Sequence, residues 1–438
     1  MTKINLKHCI YNIDGEYVVN KMIKDGSSIY SSFSQIKKSN LEIAYGLNEK
    51  EIGNIPAFDG FTMLPENDPT LYKQSVNNGK ELLNLNLYEL PIHPRGGLLE
   101  DLKRENNWDT ILDLILKIAP DEKPFPDSRF TYKQLMLDYL AIAWKRPTQR
   151  LPILIFDSNE SNCYVELFFE LIKSIFQKNA TGFYKKDLSS GFNKEWGLSN
   201  FLLISENEIS HKMMDWIKEE SSSEIRKIIS KDFQSFEIPN YSKIILASKE
   251  ISNFPDNDNE NLPFVVEPLP FPEEEDEGYY FYCFEIELPY FLDYLENYHK
   301  IISEKESSIW FNFTDIKTPV LRKLQERSKL LFYSKVEKTL NSLFRGSLLI
   351  YTEGIWEFSL SGFQKAMETE NVKKADLKEV LKMFGVRSDA HKEKFICSIS
   401  GKRMHAIPYY ISNEELKEAN YIQDLFPKLL CTEIECEA

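Results

Sequence analysis

Two stretches of this chain repeat apolar residues at helical spacing before any strand pattern appears. Residues 108–118 (Trp-Asp-Thr-Ile-Leu-Asp-Leu-Ile-Leu-Lys-Ile) predict one helix. Residues 131–145 predict a second amphipathic helix, which Pro147 ends. From residue 151 the pattern changes to short apolar runs alternating with helices. Strands are expected at Leu151–Phe156, Asn200–Ser205, Lys243–Ser248 and Phe264–Leu269, with helices at 166–177 and 212–231. That alternation implies an α/β fold with a parallel sheet covered by helices.

The flanks read differently. Residues 1–55 show no strong period and suggest a small β-containing unit. Residues 56–100 are crowded with Pro and Gly turn signals and read as an extended, loop-rich connector. Residues 252–278 form a long Pro- and acid-rich loop, followed by a helix at Ile286–Tyr298 with Pro289 in its first turn. The aromatic cluster Tyr279–Phe284 reads as a buried strand, with base stacking as the functional alternative. Further on, Thr318–Phe344 is helical, Trp356–Ser359 a short strand, and Lys373–Phe384 a helix stopped by Gly385. Phe395–Ser400 and Met404–Tyr410 flank Gly401-Lys402 as a hairpin. Helices followed by a hairpin describe a winged-helix-like end. The domains expected are 1–55, 56–150, 151–300 and 301–438.

Composition narrows the class. The chain has 438 residues, 42% hydrophobic and 13% aromatic, as a folded globular protein does. Its net charge of −15 argues against a surface coated in DNA-binding charge, though not against a local basic groove. No apolar run is long enough for a membrane span. The six cysteines form no CxxC pair, so a zinc site is not expected, and free thiols suit a reducing cytoplasm.

Several ordered blocks carry a resemblance. They are Ile55-Pro-Ala-Phe58 with Leu64-Pro65, Asn84–Tyr88, Leu137–Ala141 followed by Arg146–Leu154, and Ile309–Asn312 with Thr318–Leu321. Together they resemble the helicase half of phage and mobile-element primase–helicase proteins, of the superfamily-3 group, across roughly residues 45–415. The resemblance implies an AAA+-like P-loop NTPase core, a helical N-terminal region and a C-terminal winged-helix-like domain.

It also implies where ATP chemistry would sit. Members of that family carry a Gly-x-Gly-Lys-Ser/Thr loop whose backbone and lysine cradle phosphates and whose hydroxyl binds magnesium. Here the lysine position falls on Val165 and the hydroxyl position on Glu166. No glycine or lysine occurs between Asp157 and Glu170. Non-glycine residues disfavour the positive φ such loops often need. The acidic motif that ends a strand becomes Ser205, with Glu206 and Glu208 remaining. Lys249 stands where an asparagine would sense the γ-phosphate. No arginine occurs near Pro263, where one would complete a neighbouring subunit's site.

Four altered sites inside a preserved framework point to a catalytically silent relative. Its expected function is binding of DNA or of protein, as a scaffold or regulator, with no cofactor. Possible partners are DNA, an active helicase or another replication protein, or a second copy of the chain, and no membrane. The alternatives are a divergent NTPase using ATP and magnesium in a remodelled pocket at Glu206, Glu208 and Lys249, or a decoy subunit of an active helicase. Glu206 and Glu208 read either as a weak metal pair or as hydrogen-bonded acids at a strand end. Lys373, Lys374, Arg387, Lys392, Lys394, Lys402 and Arg403 are candidate DNA-phosphate contacts. Their other reading is a mixed surface with Asp376, Glu379, Asp389 and Glu393 between them.

Overall fold

The computed structural model describes residues 10–13, 16–25, 28–62, 73–75, 81–84, 107–157, 163–229, 235–251, 263–272, 276–305, 307–345, 355–367, 374–389, 391–397, 399–400 and 402–412. Two compact units emerge. One comprises Met1–Asn207, Ile217–Lys249 and Asn257–Leu321, the other Glu208–Trp216, Glu250–Asp256 and Arg322–Ala438.

The first unit opens with strands β1 (Ile10–Ile13), β2 (Glu16–Asp25) and β3 (Ser28–Ile36). Helices α1 (Lys38–Tyr45) and α2 (Glu49–Gly53) follow, then β4 (Ala57–Phe58). Gly46 ends α1 at φ 67°, a left-handed conformation that only glycine adopts cheaply. The sheet order is β3-β2-β1-β4, antiparallel except where β4 runs parallel to β1. The stretch expected to be a loop-rich connector holds three further strands: β5 (Gly60–Thr62), β6 (Lys73–Ser75) and β7 (Glu81–Asn84). They form a sheet in the order β5-β7-β6. Each has three or four residues, too few for alternation to show in the sequence. The described part of the Asn84–Tyr88 block is Asn84 alone, and Leu64-Pro65 lies outside the described residues.

Helices α3 (Asp109–Ile118) and α4 (Tyr132–Lys145) fall where the apolar period places them. A capping box starts α4: the Thr131 side chain accepts from Gln134 N–H, and the Gln134 side chain accepts from Thr131 N–H. Beyond them lie β8 (Leu154–Asp157), α5 (Cys163–Phe176), β9 (Ala180–Gly182), α6 (Lys194–Gly197) and β10 (Phe201–Ile209). Helix α7 (His211–Ser222), β11 (Ile225–Ile228), β12 (Phe236–Pro239), β13 (Lys243–Ile251) and β14 (Phe264–Val266) complete the run. The central sheet has the order β14-β8-β13-β10-β9. The β8–β13, β8–β14 and β9–β10 pairs are parallel. Helix α5 is apolar almost all round. Tyr164, Val165, Phe168, Leu171, Ile172 and Ile175 are buried, and a polar stripe of Glu166, Glu170, Lys173 and Ser174 remains. Each buried phenylalanine or leucine there is worth about 1.5–3 kcal/mol of transfer free energy.

Two expectations need correction. Residues 225–228 form a strand of the β11–β12 hairpin, so the helix expected over 212–231 stops at Ser222. The aromatic cluster is not a strand. It begins α8 (Glu277–Asp293), which contains Pro289 in its interior and continues as a π-helical turn at Tyr294–Tyr298. Tyr280, Cys283 and Phe284 face the core at the i, i+3, i+4 spacing of a helix.

The second unit holds most of a long helix. Helix α9 (Phe313–Ile316) precedes α10 (Pro319–Arg345), which Pro319 opens as expected. Then come β15 (Ile355–Phe358), α11 (Leu360–Ala366), α12 (Lys374–Met383), β16 (Arg387–Ser388), β17 (Glu393–Ile396), β18 (Arg403–Ala406) and β19 (Tyr409–Ser412). Gly385 stops α12 at φ 77°. β17 and β18 pair as the expected hairpin, and β19 instead joins β15 and β16. Val336, Phe358, Phe363, Leu377, Leu381 and Cys397 lie in this unit's core. No helix among the described residues is long and apolar enough to cross a membrane.

Candidate functional site

In an open α/β sheet, ligands bind outside the carboxyl ends of the strands where the strand order reverses. Here that point is β8. The chain leaves β8 for the far edge at β9, works back through β10 and β13, then steps across to β14 on the other side. β8 ends at Asp157, which is buried and in register with Ser248 of β13. Ser248 Oγ donates to the Asn207 carbonyl at 3.3 Å. Lys249 follows and is half-buried. Pro263, just before β14, is buried. The loop after β8, residues 158–162, lies outside the described residues, as does Leu262.

Helix α5 carries the two positions that matter most. Val165 is 3% exposed and belongs to the apolar core, so its side chain turns inward. Glu166, one residue on, is exposed in the first turn of α5. Ser205 Oγ donates a 3.2 Å hydrogen bond to Glu166 Oε1. Glu206 Oε1 accepts the backbone N–H of Lys185 at 2.8 Å. Glu208 is exposed further along β10. The structure therefore brings Glu166 and Ser205 together and sends Val165 elsewhere.

The chemistry of this end follows from those contacts. The N-terminus of a helix carries partial positive charge and unpaired N–H groups, which favour an anion. In α5 the chain supplies that anion itself, as Glu166. Asp157 ends β8 as a buried carboxylate, and Glu206 is held separately by the Lys185 N–H. Among the described residues, no group of three or more His, Cys, Asp or Glu side chains is placed to hold a metal ion.

The second unit exposes cations on and around its hairpin, on α12 and on β16. Lys374, Arg387, Lys392, Lys394, Lys402 and Arg403 are exposed, and Lys373 lies outside the described residues. Phe395 pairs with Met404 and packs into the core, so its neighbours in register point away from it. Lys394, opposite His405, and Arg403 therefore lie on the hairpin's outer face. His405 was not among the sequence candidates. The hairpin register, closed by the Cys397 N–H donating to the Lys402 carbonyl at 2.9 Å, is the signal that finds it. On α12 the exposed residues are mixed: Lys374, Lys378 and Lys382 with Asp376 and Glu379.

No family model matches this sequence, and no curated protein sequence matches it. Solved structures do. Two A-form apo structures of the NrS-1 C-terminal region are each 13% identical, with TM-scores of 0.51 and 0.52. In both, the match covers 92% of this chain and 96% of that chain. A further apo structure of the same region is 15% identical with a TM-score of 0.50, covering 91% and 95%. At such identity the likeness is one of fold: a mixed α/β chain with a parallel sheet, matched over nearly its whole length.

Proposed function

We propose that this chain is a replication-associated binding protein, built on a helicase-type AAA+ core that no longer hydrolyses nucleotide. One observation carries the reading. The helix turn that should present a lysine and a hydroxyl to phosphate instead buries Val165 and engages its Glu166 carboxylate with Ser205. A carboxylate there repels phosphate, and the segment 157–170 holds no lysine or glycine to compensate. On this reading the hydroxyl and the acid have exchanged elements: the hydroxyl is on the strand and the acid on the helix.

The switch-point topology and the near full-length match to the NrS-1 C-terminal region support descent from a replication protein. In the second unit, α11 and α12 followed by the β17–β18 hairpin support a winged-helix-like domain. Its outer-face cations Lys394 and Arg403 fit phosphate contacts. The partners are DNA through this hairpin, and an active helicase, another replication protein or a second copy through protein surfaces. No nucleotide cofactor takes part.

The full-length protein tests this directly. ATP with magnesium is expected to give no thermal shift and no turnover above background. ATP hydrolysis abolished by Glu206→Gln would overturn the proposal in favour of a remodelled NTPase pocket.

A further inference from the structure

Helix α8 has an exposed face unlike that of an ordinary surface helix. Tyr279, Tyr282 and Ile286 are 59%, 66% and 51% exposed, and they fall at i, i+3 and i+7 along one stripe. Phe281, 44% exposed, lies about 100° round the helix from that stripe. The opposite side, Tyr280, Cys283, Phe284, Leu288 and Phe291, is buried. A surface helix normally turns polar residues outward. A contiguous exposed apolar patch marks an interaction site.

The rings are partly held in place. Tyr279 meets the buried Tyr280 edge-on at 6.2 Å. Phe281 meets Phe284 edge-on at 6.5 Å. Fixed aromatic side chains lose little entropy on binding, which favours them as anchors.

Charge selects the occupant. On α3, which packs against α8, Asp109 and Asp113 are exposed, and Asp113 accepts the Tyr280 hydroxyl at 3.0 Å. Asp276 caps α8, Glu277 opens it, and Glu285 lies beside Tyr282 and Ile286; all three are exposed. Such a frame repels phosphate, which removes nucleic acid as the ligand of these tyrosines. It equally repels the same face of a second copy. Lysine and arginine, by contrast, gain from both the carboxylates and the tyrosine rings.

We propose that the outer face of α8 docks a basic amphipathic helix of another protein, with apolar residues on the Tyr279–Tyr282–Ile286 stripe and lysines or arginines on the acidic rim. This goes beyond the reading of the nucleotide site and does not depend on it.

The test uses the full chain and three fluorescent synthetic peptides. One carries a leucine stripe framed by Lys and Arg, the second the same stripe framed by Glu. The third shuffles the basic peptide so that no stripe forms. The first is expected to bind at least about tenfold more tightly than the other two. Tyr282→Glu and Glu285→Lys, each at an exposed position, should weaken it by about tenfold or more with an unchanged melting temperature. Equal binding of the shuffled peptide, or unchanged binding by both variants, overturns the proposal. So does a dimer of the chain alone that Tyr282→Glu converts to monomer, which would make a second copy the occupant.

Discussion

Ser205 Oγ donates to Glu166 Oε1 at 3.2 Å, joining the strand β10 to the first turn of α5. The pair lies at the carboxyl end of the sheet, where an α/β protein would hold a ligand. Both groups are exposed, so the bond adds little stability. Its importance is chemical. The acid already lies in the helix's first turn, where negative charge is favoured.

Restoring the expected residues should therefore fail in a defined way. Val165→Lys would push an ammonium into the core beside Phe168 and its neighbours, at a cost of about 3 kcal/mol or more. Glu166→Ser loses a favourable first-turn charge and should cost less than about 1 kcal/mol. Urea midpoints would show the contrast, and neither single variant is expected to gain an ATP-dependent thermal shift. Tight ATP binding by Glu166→Ser would mean that the remaining pocket is intact.

A different carboxylate should matter more for stability. Helix α3 has no side-chain cap of its own, since Trp108 occupies the cap position. Glu287 of α8 fills that role across the fold: its two oxygens accept from Thr110 N–H at 3.2 Å and Ile111 N–H at 3.0 Å. Glu287→Ala leaves both donors unpaired next to the helix's positive pole. It is expected to cost about 1–2 kcal/mol in a urea titration, with Glu287→Gln recovering part of the loss. Equal midpoints for wild type and Glu287→Ala would show that solvent replaces the cap.

The elements that were legible in the sequence are those whose own period reports their burial. α3 and α4 are of this kind, and α4 adds a readable capping box in Thr131 and Gln134. The hairpin β11–β12 was hidden because its inward residue is charged. Ile225, Ile228 and Ile229 imitate helical spacing, yet Ile225 is 56% exposed and Arg226 is 5% exposed. Arg226 is accommodated by Glu220 and by the carbonyls of Gly197 and Ser199, partners remote from its strand pattern. In Tyr279–Phe284 the aromatic bias toward strands outweighed a helical period, and packing of α8 against the core reversed it. At the candidate site, the sequence located Glu166 and Ser205 but could not show that they touch. That contact depends on how β10 lies beside the first turn of α5.

The hairpin reading of DNA binding makes a quantitative claim. Lys394 and Arg403 share the outer face with His405, whereas the exposed lysines of α12 alternate with acids. Replacing Lys394 and Arg403 together by Gln should lower affinity for duplex DNA and flatten its logarithmic salt dependence by about two units at most. Lys382→Gln on α12 should leave both nearly unchanged. Fluorescence anisotropy at several salt concentrations measures the slope. An unchanged slope in the double variant would place the phosphate contacts elsewhere or nowhere.

Lys243 gives the clearest pH dependence. It is 1% exposed at the start of β13, and its Nζ donates to the carbonyls of Pro147 at 2.6 Å and Tyr241 at 3.2 Å. Burial, with no neutralising acid among the described residues, pushes its ammonium down to about 7 from the ordinary 10.5. Between those values the unfolded chain holds the proton and the folded chain does not. Unfolding free energy from this group therefore rises with pH across the window, by up to about 1.4 kcal/mol per pH unit. Below about 7 both states are protonated, so the charged side chain is then at its most costly and the slope vanishes. Lys243→Met removes the titration. Comparing urea midpoints near about pH 6 and about pH 9, the wild type should gain on Lys243→Met as pH rises. Parallel pH profiles for the two proteins would show that Lys243 stays charged in its buried site.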